Sequence, residues 1–150
     1  MKYIITGGLG FIGSHLYDRI KKTTENKVIL IDNLYSGSTD NIKNLNYNDF
    51  INMDIRDKEL INYFDENDIV IHLAAISSLP ECQDNPMFCY DVNVNGTLNI
   101  LEICRKKNVS KIIFASTSAV YENNTSYPLK ETYDISPTLI YSMSKYNCEK

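Results

Sequence analysis

An α/β fold built on a doubly wound parallel sheet is what these 150 residues predict, and three observations carry that expectation. Short runs rich in isoleucine and valine recur, segments with helical spacing separate them, and a glycine-rich turn directly follows the first run. The runs occupy residues 3–6, 28–31, 50–53, 69–73 and 112–116. Each is apolar almost throughout rather than alternating, which is the pattern of a strand covered on both faces.

The connecting segments justify the parallel arrangement. Phe11, Ile12, His15, Leu16, Arg19 and Ile20 repeat at helical intervals after the first strand; Leu60, Ile61 and Phe64 do so after the third; Val94, Leu98, Leu101 and Ile103 do so after the fourth. Strand, helix and strand in succession demand crossover connections, and right-handed crossovers leave few topologies. Pro86 is expected to open the long helix that runs through Cys104, and Asn108 with Ser110 to close it before the fifth strand. Pro137 is expected to open a last helix, with Tyr141 and Lys145 on its first two turns. At a separation of four residues their side chains share one helix face.

Composition removes several classes of function. The hydrophobic share of 43% and charged share of 23% are those of a globular domain, which excludes disordered and fibrous chains. With a net charge of −4 and no basic cluster longer than Arg105, Lys106 and Lys107, no nucleic-acid partner is indicated. The apolar run after Lys2 is too short for a signal peptide or a membrane span, so the expected location is the cytoplasm, with no membrane partner. Cys82, Cys89, Cys104 and Cys148 lack C-x-x-C spacing and read as reduced thiols, without a metal site.

Gly7, Gly10 and Gly13 follow one another at three-residue intervals where the first strand becomes a helix. A phosphate can rest on backbone N–H groups at a helix N-terminus, and glycine lets the backbone approach it closely. The alternative is a tight turn that binds nothing. Asp32, nineteen residues past Gly13 at the end of the second strand, favours a ligand, because a carboxylate there accepts from a ribose 2′-hydroxyl. It also repels a 2′-phosphate, and Asn33, Leu34 and Tyr35 provide no arginine to receive one; NAD is therefore expected over NADP. Asp54 and Ile55 follow the third strand on the same carboxyl edge, as adenine neighbours or as a cap and a core residue. His72, inside an apolar strand, reads as a packed core histidine, and Asn93 either as a holder of active-site backbone or water or as a capping and packing residue.

With these residues assembled, the chain resembles the extended short-chain dehydrogenase/reductase family, in particular its nucleotide-sugar epimerases and dehydratases, UDP-glucose 4-epimerase-like members above all. The resemblance rests on TGGLGFIGSHL at 6–16, DNL at 32–34, MDIRD at 53–57, HLAA at 72–75, NVNGTLNILE at 93–102, STSAVY at 116–121 and YSMSK at 141–145. It implies a Rossmann-type NAD-binding domain over 1–150. Gly7, Gly10, Phe11, Ile12, Gly13, Asp32, Asn33, Ser36, Gly37, Asp54, Ile55, Leu73, Ala74, Ala75, Tyr141 and Lys145 would bind the cofactor. It further implies Tyr141 as acid/base, Lys145 as its activator and ribose ligand, Thr117 as the hydroxyl that bonds the substrate oxygen, a UDP-sugar as substrate, and a homodimer. The chemistry suits these roles: a free phenol ionises near pH 10, and an adjacent ammonium and a cationic nicotinamide both favour phenolate.

The same resemblance shows departures. Many relatives carry glycine where this chain has Glu122, dehydratases carry an acidic pair where it has Ser118 and Ala119, and some epimerases carry a lysine where it has Ser77 and Ser78. Epimerisation is thus favoured over 4,6-dehydration or another net oxidoreduction. A non-catalytic NAD-sensing module, which would need neither Thr117, Tyr141 nor Lys145, is the reading from another class. Five readable strands and an end at Lys150 predict a chain truncated before the substrate lobe and inactive alone.

Overall fold

A computed structural model describes residues 1–150. In chain order the elements are β1 (Lys2–Thr6), α1 (Phe11–Thr23), β2 (Lys27–Asp32), β3 (Phe50–Asn52), β4 (Ile69–His72), α2 (Leu79–Asp84), α3 (Pro86–Tyr90), α4 (Gly96–Lys107), β5 (Lys111–Phe114) and α5 (Ile140–Glu149). Two compact units result: Met1–Ala75 with Gly96–Ala115, and Ile76–Asn95 with Ser116–Lys150. No helix is long and apolar enough to cross a membrane.

The first unit holds the whole sheet, in the order β3-β2-β1-β4-β5 with every pairing parallel. The chain builds outward from β1 through β2 to β3, then crosses back to lay β4 on the other side of β1. That reversal is what makes the fold doubly wound, and it places a crevice at the carboxyl ends of β1 and β4. All five predicted strands form. The inner ones are the most deeply packed: Ile4, Ile5, Val28, Leu30, Ile31 and Val70 are fully buried. The outermost β5 departs from the expected two-sided cover, with Ile113 49% exposed, because alternate residues of this marginal strand face outward.

Helix α1 packs through Gly13, Ser14, Tyr17 and Ile20, spaced at three and four residues, and Lys21 and Lys22 in its last turn complement the helix dipole. Tyr17 donates to Asp49 Oδ2 at 3.0 Å and Lys21 reaches the same oxygen at 3.1 Å, which ties α1 to the turn before β3. Two expectations need correction in this unit. The segment around Leu60 and Ile61 is a 3-10 helix, Lys58–Tyr63, started by Asp57 accepting from Glu59 N at 2.9 Å. Its steeper rise spans the short β3-to-β4 crossover with fewer residues than an α-helix would. On α4 the buried residues are Gly96, Thr97, Ile100 and Ile103, whereas Leu98 and Leu101 stay 56% and 37% exposed.

In the second unit the helix expected to run unbroken from Pro86 is instead α3 followed by a π-helical stretch, Asp91–Asn95, before α geometry resumes in α4. A wide turn of this kind re-aims a side chain, here Asn93, which is turned inward and 1% exposed. Ahead of α3 lies α2, whose start Ser78 caps by accepting from Glu81 N at 3.3 Å. Helix α5 begins at Ile140 rather than at Pro137. The N–H groups of Thr138 and Leu139, which precede that start, donate to the carboxylate of Glu122.

Candidate functional site

The first unit gathers the carboxyl ends of β1, β2 and β4 around the glycine turn. Gly7 leaves β1 at a φ of +66°, and a Cβ there would stand 2.8 Å from the Ala74 nitrogen and 3.0 Å from the Leu73 carbonyl carbon. Glycine is required for both reasons. A Cβ at Gly13 would lie 2.4 Å from the Gly7 carbonyl oxygen, so the third glycine is what lets the first turn of α1 close onto the strand end. Gly10 is the N-cap and supplies no side chain to the opening N–H groups of α1. Phe11 and Ile12 stand 78% and 63% exposed beside it. An uncapped helix start with bare backbone is suited to a pyrophosphate. Leu73, Ala74 and Ala75 run past this turn, held by Thr6 Oγ1, which accepts from Leu73 N and Ala74 N, each at 3.2 Å.

Asp32 ends β2 and is 8% exposed. Oδ2 accepts from Leu9 N in the glycine turn at 3.0 Å and Oδ1 from Leu34 N at 2.8 Å, so the carboxylate fixes the turn while each oxygen keeps a lone pair for a ribose hydroxyl. Gly37 packs against it, since a Cβ there would meet Oδ2 at 3.0 Å. Asn33 reaches Asp54 Oδ2 at 3.0 Å. Arg56 grips the same carboxylate through Nε at 2.8 Å and Nη2 at 2.7 Å, and this guanidinium holds Asp54 below the usual carboxylate range. Ile55, by contrast, is 5% exposed and lies where a Cβ on Gly96 would touch its Cδ1 at 2.5 Å, the contact of a core residue. His72 is fully buried between Thr6 Oγ1 on Nδ1 and Thr97 Oγ1 at 2.9 Å on Nε2, a satisfied core histidine.

The second unit carries the three reactive candidates. Thr117 is the N-cap of the 3-10 turn Ser118–Tyr121, where its Oγ1 accepts from Ala119 N at 3.1 Å. Tyr141 is the second residue of α5, half-buried, and Lys145 lies one turn further on. Lys145 is only 3% exposed. Burial brings its ammonium down from 10.5 to about 8, against the opposing pull of Cys148 and Glu149. Asn93 binds the backbone of Ile76 from both ends of its amide, accepting from the nitrogen at 2.7 Å and donating to the oxygen at 3.0 Å. It also donates to Ser144 Oγ at 2.9 Å, and Ser144 in turn donates to the Tyr141 carbonyl at 2.7 Å. Asn93 is thus a clasp on the helix that bears Tyr141.

Sequence reasoning left two residues of these sites without a role. Arg56 stands two places after Asp54, a spacing that a turn makes adjacent, so its grip was available to inspection. Glu122 gave no local signal, because its partners lie sixteen to twenty residues further along.

Comparisons with known proteins bear on the family and the fold. The family model described as "NAD dependent epimerase/dehydratase family" matches residues 3–150. A UDP-N-acetylglucosamine 4-epimerase from Methanobrevibacter ruminantium, solved with UDP-N-acetylmuramic acid, superposes with a TM-score of 0.91 at 39% identity, covering 99% of this chain and 48% of that one. A UDP-glucose 4-epimerase from Thermus thermophilus in complex with NAD gives 0.88 at 33% identity, covering 99% and 49%. The UDP-glucose 4-epimerase of Streptococcus mutans is 34% identical over 99% of this chain and 45% of its own length. The chain therefore spans about half the length of the relatives it matches.

Proposed function

The chain belongs to the NAD-dependent epimerase/dehydratase family, and from that premise we propose that it is the NAD-binding part of a nucleotide-sugar epimerase, with a UDP-sugar as substrate. Residues 1–150 serve on this reading as the cofactor domain and also carry the acid/base set; chain corresponding to the other half of the relatives fixes the sugar. The observation that carries the proposal is the buried Lys145 one turn beyond Tyr141 on α5. A module that only sensed NAD would gain nothing from burying an ammonium at a cost in stability, whereas an acid/base tyrosine gains a neighbouring positive charge.

The pyrophosphate of NAD would lie on the uncapped start of α1, with the adenosine ribose on Asp32 and the adenine along Asn33 and Asp54. When bound, NAD supplies an acceptor that takes hydride from a sugar carbon and gives it back to the opposite face. Tyr141 removes the proton from the hydroxyl on that carbon and later returns it. Thr117 donates its hydroxyl hydrogen to the same oxygen as it gains carbonyl character. Lys145 favours the phenolate during proton removal and contacts the nicotinamide ribose. Exposed Leu98 and Leu101 on α4 support a homodimer formed through the helices of this half.

The test uses the full gene product with NAD and a panel of UDP-sugars, analysed by product chromatography and absorbance at 340 nm. Interconversion of two epimers without net NADH is expected. Stoichiometric NADH, or a dehydrated keto-sugar as the final product, would replace epimerisation with a net oxidoreductase or dehydratase reaction.

A further inference from the structure

Glu122 carries the inference. Its Oε1 accepts from Thr138 N, from Thr138 Oγ1 at 2.7 Å and from Leu139 N at 3.0 Å, and its Oε2 accepts from Ser142 Oγ at 3.0 Å. Four donors converge on one carboxylate, all from the first turn of α5 or the residues leading into it. Leu139, the N-cap of that helix, offers no side-chain acceptor of its own. A carboxylate supplied from elsewhere in the chain therefore fastens the residues that lead into the helix and meets the positive end of the helix dipole. Although burial acts to raise its pKa, the bonds from Thr138, Leu139 and Ser142 hold Glu122 below the ordinary glutamate range.

The other end of the connection matters equally. Glu122 directly follows the turn Ser118–Tyr121, which Thr117 opens. That turn is closed by Ala119 N on Thr117 Oγ1 at 3.1 Å, Val120 N on Thr117 O at 3.4 Å and Glu122 N on Ala119 O at 3.2 Å. Thr117 and Glu122 thus move together. Ser142, the donor to Oε2, is fully buried and is the residue after Tyr141. We propose that Glu122 is a positioning residue that fixes the Thr117 hydroxyl relative to the Tyr141 phenol by fastening the turn of one to the helix of the other. The proposal rests on the epimerase reading, because two groups that act on one substrate oxygen are what would need a fixed separation.

Loss of the tie need not unfold the segment, since Ser136 N still donates to Val120 O at 3.0 Å, Asn123 to Ser136 O at 2.6 Å and Asn124 to Asp134 O at 2.9 Å. The experiment compares Glu122→Ala and Glu122→Gln with the unsubstituted full gene product. Amide hydrogen exchange reads the contact itself; kcat, KM for the UDP-sugar and the dissociation constant of NAD read its consequence. Glu122→Ala is expected to speed exchange at Thr138 and Leu139 by about tenfold or more. It should also lower kcat by roughly 10- to 100-fold, the scale of an ångström-sized misplacement, with KM and NAD affinity within about twofold. Glu122→Gln keeps an acceptor oxygen and should recover most of the lost turnover. Three results would overturn the proposal: unchanged exchange in Glu122→Ala, an unchanged kcat, or equal losses of kcat and NAD affinity that glutamine does not rescue. Failure of the epimerase reading shows elsewhere. An unsubstituted protein that turns over no nucleotide sugar sinks that reading, and the positioning role with it, whatever the exchange rates.

Discussion

Replacing Lys145 with methionine should make the fold more stable at neutral pH while removing its chemistry. In the folded chain burial lowers the ammonium from 10.5 to about 8. A depressed lysine pKa means that the unfolded chain binds the proton more tightly, so stability rises with pH between those two values. Below about pH 8 both states are protonated and the folded state carries the full penalty. At about 1.4 kcal/mol for each pH unit between the two values, that penalty is about 3.5 kcal/mol. Methionine has a similar length, packs in apolar surroundings and has no charge to desolvate. Urea unfolding of both proteins from pH 7 to pH 10 isolates the lysine, because every other titrating group is common to the pair. The variant should be about 3 kcal/mol more stable at pH 7, with roughly three quarters of the gap closed by pH 10. A wild-type curve that runs parallel to the variant's over this interval would show that Lys145 titrates as an ordinary lysine. The argument for a tuned ammonium one turn from Tyr141 would then fail. Turnover should be lost and NAD binding weakened in the same variant, so that stability and function move in opposite directions.

Other expectations follow from single contacts. Tyr141→Phe loses only the phenolic oxygen and should abolish epimerisation with NAD still bound; substantial steady-state turnover by this variant would place the acid/base elsewhere. Calorimetric titration should find NAD bound at least about tenfold more tightly than NADP, because the buried Asp32 would face a 2′-phosphate with like charge; equal affinities would remove Asp32 from that role. Gly13→Ala forces a Cβ to within 2.4 Å of the Gly7 carbonyl oxygen and 2.7 Å of Gly8 Cα. Both are backbone atoms that cannot turn aside, so the unfolding free energy should fall by about 1–3 kcal/mol and NAD affinity with it. A fully stable Gly13→Ala protein with unchanged NAD affinity would mean that the turn is looser than its contacts indicate.

Much of the fold was legible because burial on both faces writes a conspicuous pattern: continuous Ile and Val runs for β1, β2 and β4 need no long-range knowledge to recognise. Where one face is uncovered, as at Ile113, the same composition misleads. Helix limits were less legible, since Pro137 permits a helix start but does not compel one. The break in the helix after Tyr90 was no more legible. Asn93 turns inward to satisfy both polar groups of Ile76, seventeen residues earlier, and nothing in its immediate neighbours announces that partner.

The candidate site divides along the same physical line. The placement of Gly7, Gly13 and Asp32 was readable because it follows from local backbone geometry: a positive φ, a close approach and a strand end. Tyr141 and Lys145 were readable because four residues is one helical turn. Residues that hold those groups in place act across sequence separation, through a side chain that closes a loop, and such a contact carries no period or spacing of its own. Asn93 reaches Ser144 across fifty-one residues and Ile76 across seventeen, and Glu122 reaches Ser142 across twenty. A substitution at Asn93 should therefore loosen α5 at Ser144, as one at Glu122 should at its amino end. If either contact has functional weight, the cost of removing both together should differ from the sum of the single costs, because both act on the same helix.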